Sequence, residues 1–283
     1  MPRAFRHFLD AIKFEHTVFA LPFAYVAMVL AADGWPGWRV VVWVTLAMTG
    51  ARTLAMSVNR LADRLIDAAN PRTAQRHLPT GLLAPWHMLL AAVASGALLA
   101  LAGWMLNPLC LKLAPWAALF LIGYSYTKRF TWTSHWILGF TDGIAAAGGW
   151  IAVSGVFAPP TFVLWFALTV WIAGFDLIYA CQDVDFDRRA GLHSFPARFG
   201  IAPTLHAAKA CHVLTVVAFG ALGWTMGLGW LYWAGVVVVA GLFVYEHSLV
   251  SPTDLSRLDV AFFNVNGYIA LILFAAVLGG RLF

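Results

Sequence analysis

Charge is scarce in this chain. Asp, Glu, Lys and Arg make up 11% of its 283 residues, where an ordinary soluble domain carries about 25%. That shortfall leaves too little material for a solvated surface and excludes a soluble globular protein. Cysteine is scarce too. Cys110, Cys181 and Cys211 sit singly in apolar surroundings with no CxxC pair, so no disulfide framework is expected. The 9 histidines show no metal-ligand spacing. The formal charge is +5 and the pI near 9.3, yet the basic residues are scattered between apolar runs, which argues against a nucleic-acid surface.

What fills the chain is apolar: 61% of residues, with a mean hydropathy of +0.78. Apolar runs cover about 17–33, 39–58, 86–106, 109–126, 136–155, 160–181, 203–226, 228–248 and 260–280, each near the roughly 20 residues that one crossing needs. The pattern predicts an all-α integral membrane protein, one transmembrane domain over residues 1–283. Nine helices are expected to surround a central cavity open to the cytoplasmic side. The run after Lys13 reads as a first helix rather than a cleaved signal. With the N-terminus inside, the inner segments carry Arg3, Arg6, Lys13, Arg60, Arg64, Arg72, Arg76, Lys128, Arg129, Arg188, Arg189, Arg198, Lys209 and Arg257; the outer ones carry Arg39, Lys112 and Arg281. The positive-inside rule therefore sets a cytoplasmic N-terminus and an outer C-terminus, in a membrane of the bacterial inner type. The acids gather on the inner side as well, so the chemistry is expected there.

Two inner segments share one spacing. Asn59, Asp63 and Asp67 follow at intervals of four, as do Tyr179, Asp183 and Asp187, which on continuous helices places each set on one face. Like charges so spaced repel, and two such pairs call for a compensating cation. Carboxylate and amide oxygens, without Cys or His, suit Mg²⁺. Arg72 and Arg76 follow the first set, Arg188, Arg189 and Arg198 the second, and Lys128-Arg129 lies between. Acids that hold Mg²⁺, ringed by bases, form a site for a phosphate-bearing ligand, with a diphosphate bridging the two sets as the economical reading.

With these motifs the sequence resembles the UbiA superfamily of intramembrane prenyltransferases. Asn59–Asp67 matches its NxxxDxxxD motif, and the stretch from Arg72 to Gly81 matches its RTxxRxLPxG loop. Asp176–Asp187, with Gly191, Ser194 and Pro196, matches its second acidic segment, and Tyr126–Thr131 its K-R-x-T loop. The resemblance implies Mg²⁺-dependent transfer of a prenyl group from a polyprenyl diphosphate to an aromatic acceptor. The segment Lys13–Tyr25 is most similar to the quinone-pathway branch, which includes 4-hydroxybenzoate polyprenyltransferases and the MqnP-like enzymes of the futalosine route to menaquinone. The usual 4-hydroxybenzoate pattern there is Arg-x-Asp-Lys-Pro, whereas this chain has Lys13-Phe14-Glu15-His16-Thr17. Both 4-hydroxybenzoate and a dihydroxynaphthoate-type acid thus stay open as acceptors. The basic inner loops also permit haem, a chlorin or a glycerol phosphate, and a membrane transporter is the reading from another class.

Roles follow from that chemistry. Asn59, Asp63, Asp67, Asp183 and Asp187 are the expected metal ligands. Arg72, Arg76, Lys128, Arg129 and Arg198 are the expected diphosphate contacts. Tyr179, on the motif face, offers a ring to an allylic cation. Arg52 lies seven residues before Asn59, roughly 10 Å deeper along the helix at about 1.5 Å per residue. It is expected either to hold the acceptor's carboxylate or to pair with Asp142 or Asp176. Lys13 is a second acceptor-side cation. Asp176 or Asp142 is placed to receive the ring proton. Asn264 and Asn266 either line the pocket or bond across helices.

Overall fold

The computed structural model describes residues 3–13 and 15–282, apart from the side chains at 3–5, 15–20, 262, 263 and 282. Glu15 and His16 of the first-helix segment therefore lie outside the described side chains. Among the described residues the architecture is all helical, without strands. A short α1 (Arg3–Ala11) precedes α2 (Glu15–Ala32), α3 (Trp38–Ala62) and α4 (Arg64–Ala69). Then come α5 (Pro85–Leu106), α6 (Pro108–Thr127), α7 (Ser134–Ser154) and α8 (Pro159–Ala180). The short α9 (Val184–Arg189) and α10 (Phe195–Phe199) lead to α11 (Ile201–Thr225), α12 (Trp230–Ser248) and α13 (Asn266–Leu282).

Local chemistry sets these boundaries. Proline opens α5, α6 and α8, where a missing N–H costs nothing because the first-turn donors have no partner in the helix. Asn107 caps α6 by accepting the Cys110 N–H at 2.9 Å. Gly155, at φ +68, ends α7 in the left-handed conformation that suits glycine. Seven helices are long and apolar enough to cross a membrane: α3, α5, α6, α7, α8 (running on through Arg189), α11 and α12. Two shorter apolar stretches, Leu21–Ala32 and Asn266–Arg281, stand where the first and ninth runs were expected. The ninth run is not one regular helix. Its start, Val260–Val265, is π-helical, and there Asn266 Nδ2 donates to the Ala261 carbonyl at 3.1 Å.

The core lies where α8 packs against α7 and α11, with α2 packed on α7 and reaching α8 through Phe23 against Trp171. Small residues allow the approach. A Cβ on Gly139 would stand 2.1 Å from the Thr169 carbonyl oxygen of α8, and one on Gly149 would stand 2.4 Å from that of Ala24. This pairing is what holds α7 and α8 side by side along the cavity.

Both acidic segments depart from the continuous helix that their spacing suggested. α3 stops at Ala62 and α4 restarts at Arg64, with Asp63 between them at φ −92, ψ 4. α8 stops at Ala180, a single 3₁₀ turn covers Cys181–Asp183, and α9 starts at Val184, with Asp183 at φ −101, ψ 5. The same break recurs at the same motif position. At the first break the backbone bonds still run four residues back, from the Asp63 N–H to the Asn59 carbonyl at 2.9 Å and from the Asp67 N–H to the Asp63 carbonyl at 2.7 Å, so the motif residues stay stacked.

Candidate active site

Three loops converge at one end of the bundle. The Asn70–Arg76 segment reaches across to the second motif: Asn70 Nδ2 donates to Asp183 Oδ1 at 3.0 Å, and the Arg72 guanidinium grips both Asp183 oxygens, at 2.8 and 2.5 Å. Burial works against the Arg72 charge, but the bonds to Asp183 outweigh it and raise its pKa above the ordinary arginine value. Arg72 also donates to the Tyr179 hydroxyl at 3.1 Å and lies 5.3 Å over its ring. Arg76 turns back to its own motif, pairing with Asp67 at 2.7 Å. From the α6–α7 loop, Lys128 and Arg129 approach Asp63 at 3.1 and 3.4 Å. The His193 N–H donates to the Lys128 carbonyl at 2.7 Å, which ties the third loop to the second. Asn59 Nδ2 donates to Asp63 Oδ2 at 3.2 Å.

Asp63, Asp67 and Asp187 are each under 9% exposed. Carboxylates so buried are sustained by paired charge and hydrogen bonds: Lys128 and Arg129 supply these to Asp63, and Arg76 to Asp67, while the more exposed Asp183 takes Arg72. The donors offered, carboxylates with the Asn59 amide, are all oxygen and fit a hard divalent ion. Arg198 is not brought into this cluster. Its guanidinium lies 5.7 Å over the Trp132 ring of the α6–α7 loop and 5.2 Å over that of Phe199 at the end of α10. Arg188 likewise turns to the Ala197 carbonyl, at 2.9 Å.

Behind the cluster a cavity of about 540 Å³ runs into the bundle, lined among others by Lys13, Arg52, Asn59, Arg76, Asp142, Asp176 and Tyr179. Its deeper wall is apolar, with Leu106, Cys110, Phe120 and Phe157. Arg52 faces this space with a buried Nε that has no hydrogen-bond partner among the described residues. Asp176 does not pair with it; its Oδ2 is bonded to His135 Nδ1 at 2.6 Å. Asn266 both lines the cavity and bonds across helices, accepting from Trp171 Nε1 at 2.6 Å and donating to Glu246 Oε1 at 3.2 Å. Asn264 is exposed. Tyr124 lines the cavity, whereas Tyr126 is exposed beneath Arg129, 5.1 Å from its ring.

Two contacts had no sequence signal. Asn70 lies just past the first motif, before Pro71, and reads as turn chemistry. His135 stands 41 residues from Asp176, and no periodicity joins them. A third grouping also escaped the spacing: His7, Asp10 and His77, whose ligand atoms lie within 4.8 Å of one another, with Arg6 in the same surface pocket.

A multi-pass helical membrane protein with two arginine-clamped aspartate motifs at the mouth of an apolar cavity is the class that fold and site define. The comparisons with known proteins make it particular. The UbiA prenyltransferase family model matches residues 20–272, and the chain belongs to that family. The 4-hydroxybenzoate octaprenyltransferase of Saccharophagus degradans is 30% identical over 254 residues, covering 89% of this chain and 84% of that protein. The apo structure of a UbiA homologue from Aeropyrum pernix K1 superposes with a TM-score of 0.86 at 31% identity, over 94% of this chain and 98% of that one. A UbiA homologue from Archaeoglobus fulgidus bound to GPP and Mg²⁺ has the same fold, with a TM-score of 0.67 at 17% identity over 96% and 99% of the two chains.

Proposed function

We propose that this prenyltransferase moves a polyprenyl group from a polyprenyl diphosphate to a hydroxy-aromatic acid, 4-hydroxybenzoate or a dihydroxynaphthoate-type acceptor, in ubiquinone or menaquinone synthesis. The observation that carries the reading is the Arg52 guanidinium, without a bonded partner at its Nε, in the wall of the cavity behind the aspartate cluster. A cation there is costly unless a ligand completes it, and an acceptor carboxylate would do so. The names of the curated relatives point the same way.

In this reading Asn59, Asp63, Asp67, Asp183 and Asp187 hold Mg²⁺, which when bound supplies Lewis-acid stabilisation to the diphosphate. Arg72, Arg76, Lys128 and Arg129 exchange their carboxylate partners for diphosphate oxygens and stabilise the charge that develops as the C–O bond breaks. The ring of Tyr179 faces the allylic cation, the apolar wall takes the prenyl chain, and Arg52, with Lys13 in the same cavity lining, holds the acid. Asp176 receives the ring proton. The nine helices cross the membrane, with the N-terminus and the site on the cytoplasmic side of an inner-type membrane and the C-terminus outside.

The test is direct. Membranes containing the protein are incubated with Mg²⁺, a polyprenyl diphosphate and either 4-hydroxybenzoate or a dihydroxynaphthoate, and the prenylated acid is followed by mass. Product with one of these acids is the expected result. Turnover only with haem, a chlorin or glycerol phosphate would overturn the acceptor assignment.

A further inference from the structure

His135 opens α7 and is 4% exposed, enclosed between the cavity wall and the loop that follows the second motif. Both ring nitrogens are engaged. The backbone N–H of Phe195 donates to Nε2 at 3.2 Å, so Nε2 carries a lone pair and the ring proton resides on Nδ1. Nδ1 lies 2.6 Å from Asp176 Oδ2. The imidazole can therefore meet Asp176 in one way only: neutral, donating from Nδ1. That bond occupies one carboxylate oxygen from behind. Asp176 lines the cavity, and its side chain retains 24% exposure, which leaves the other oxygen to the acceptor.

We propose that His135 is a positioning residue that fixes the tautomer-locked hydrogen bond on Asp176 and so holds its second oxygen towards the acceptor ring. The inference rests on the reading of Asp176 as the proton acceptor. In that step the C1–O bond to the diphosphate breaks, its electron pair leaving with the diphosphate, and the allylic cation so formed bonds through C1 to a ring carbon. The ring carbon then loses its proton to Asp176, and the C–H pair restores aromaticity. A donor on Oδ2 stabilises the carboxylate before the transfer and prevents it from rotating away, which is how a remote group contributes to a rate through orientation.

The two amide variants separate positioning from scaffolding. In His135→Asn the amide nitrogen takes the place of Nδ1 and keeps the donor to Asp176 while abandoning Phe195. In His135→Gln the amide reaches the place of Nε2, keeps an acceptor for the Phe195 N–H and abandons Asp176. Both are measured with Mg²⁺, a polyprenyl diphosphate and the accepted aromatic acid, protonated or deuterated on the ring. His135→Asn is expected to stay within about threefold of the native kcat, and His135→Gln to fall by about tenfold or more at nearly unchanged KM for both substrates. Proton loss then becomes slow enough for a primary isotope effect to appear in the Gln variant. The reverse order, or equal losses with no isotope effect, would assign His135 to holding the loop and overturn the proposal. Asp176→Asn separates the two layers: full activity there removes the proton-acceptor reading itself, whereas its loss alongside a fully active His135→Gln removes only the role of His135.

Discussion

At Arg52 a guanidinium stands in the cavity wall with a buried Nε that has no hydrogen-bond partner among the described residues, while Asp176, one of the two acids expected to pair with it, is bonded to His135. If it receives the acceptor's carboxylate, Arg52→Ala raises the KM of the aromatic acid and leaves that of the polyprenyl diphosphate nearly unchanged. Loss of a charge-assisted contact of about 1.5–3 kcal/mol corresponds to roughly ten- to a hundredfold in kcat/KM for the acid. Steady-state kinetics in each substrate checks this, and unaltered acid kinetics would move the acceptor to Lys13. Asp67→Asn acts on the other substrate, because Asp67 is the partner of Arg76. The two motifs contribute separate carboxylates, so Asp63→Ala and Asp183→Ala are each expected to abolish turnover. Chelation by EDTA should silence the native protein, and added Mg²⁺ should restore it. Full activity in either alanine variant would refute a site that spans both motifs.

At the scale of elements, what the sequence made legible was what period and charge can encode. Apolar runs set the positions of the long helices, and repeated acids with basic loops marked one end of the bundle. What it hid is decided by tertiary pairing. The break at Asp63 and its twin at Asp183 leave no mark in the spacing, because a spacing of four is equally compatible with an unbroken helix. Arg198 carries the same charge as Arg72 and likewise follows an acidic motif, yet it stacks on Trp132 and Phe199 instead. His135 meets Asp176 only because α7 lies close against α8, and that closeness depends on Gly139. A methyl group there would face the Thr169 carbonyl at 2.1 Å, and backbone cannot yield as a side chain can. Gly139→Ala should therefore destabilise the protein by about 1–3 kcal/mol, whereas Gly241→Ala, with open space around its Cβ, should not. Thermal unfolding in detergent compares the two; equal midpoints would show that the α7–α8 approach is not under constraint.

At the scale of the whole molecule, the two ends of the chain are tied to opposite ends of the bundle. The Ala11 carbonyl, closing α1, accepts from Arg60 Nε at 2.9 Å, three residues before Asp63, so the N-terminal helix sits beside the aspartate cluster. Near the other terminus, Arg281 pairs with Asp33 at 2.6 Å, just past the end of α2 remote from α1. Arg39, also on that side, reaches the Met105 carbonyl at 2.7 Å. The basic residues divide the same way: Arg72, Arg76, Lys128 and Arg129 collect with the aspartates, while Arg39 and Arg281 are at the far end. Since excess Lys and Arg marks the cytoplasmic side, the cluster end is expected inside and Arg281 outside. A protease-sensitive tag on the N-terminus should then be protected in right-side-out vesicles, and one on the C-terminus cleaved without permeabilisation. Nine crossings require that outcome. Both tags cleaved, or both protected, would mean an even number of crossings, and either Leu21–Ala32 or Asn266–Arg281, the two shortest apolar helices, would then have to lie within one leaflet.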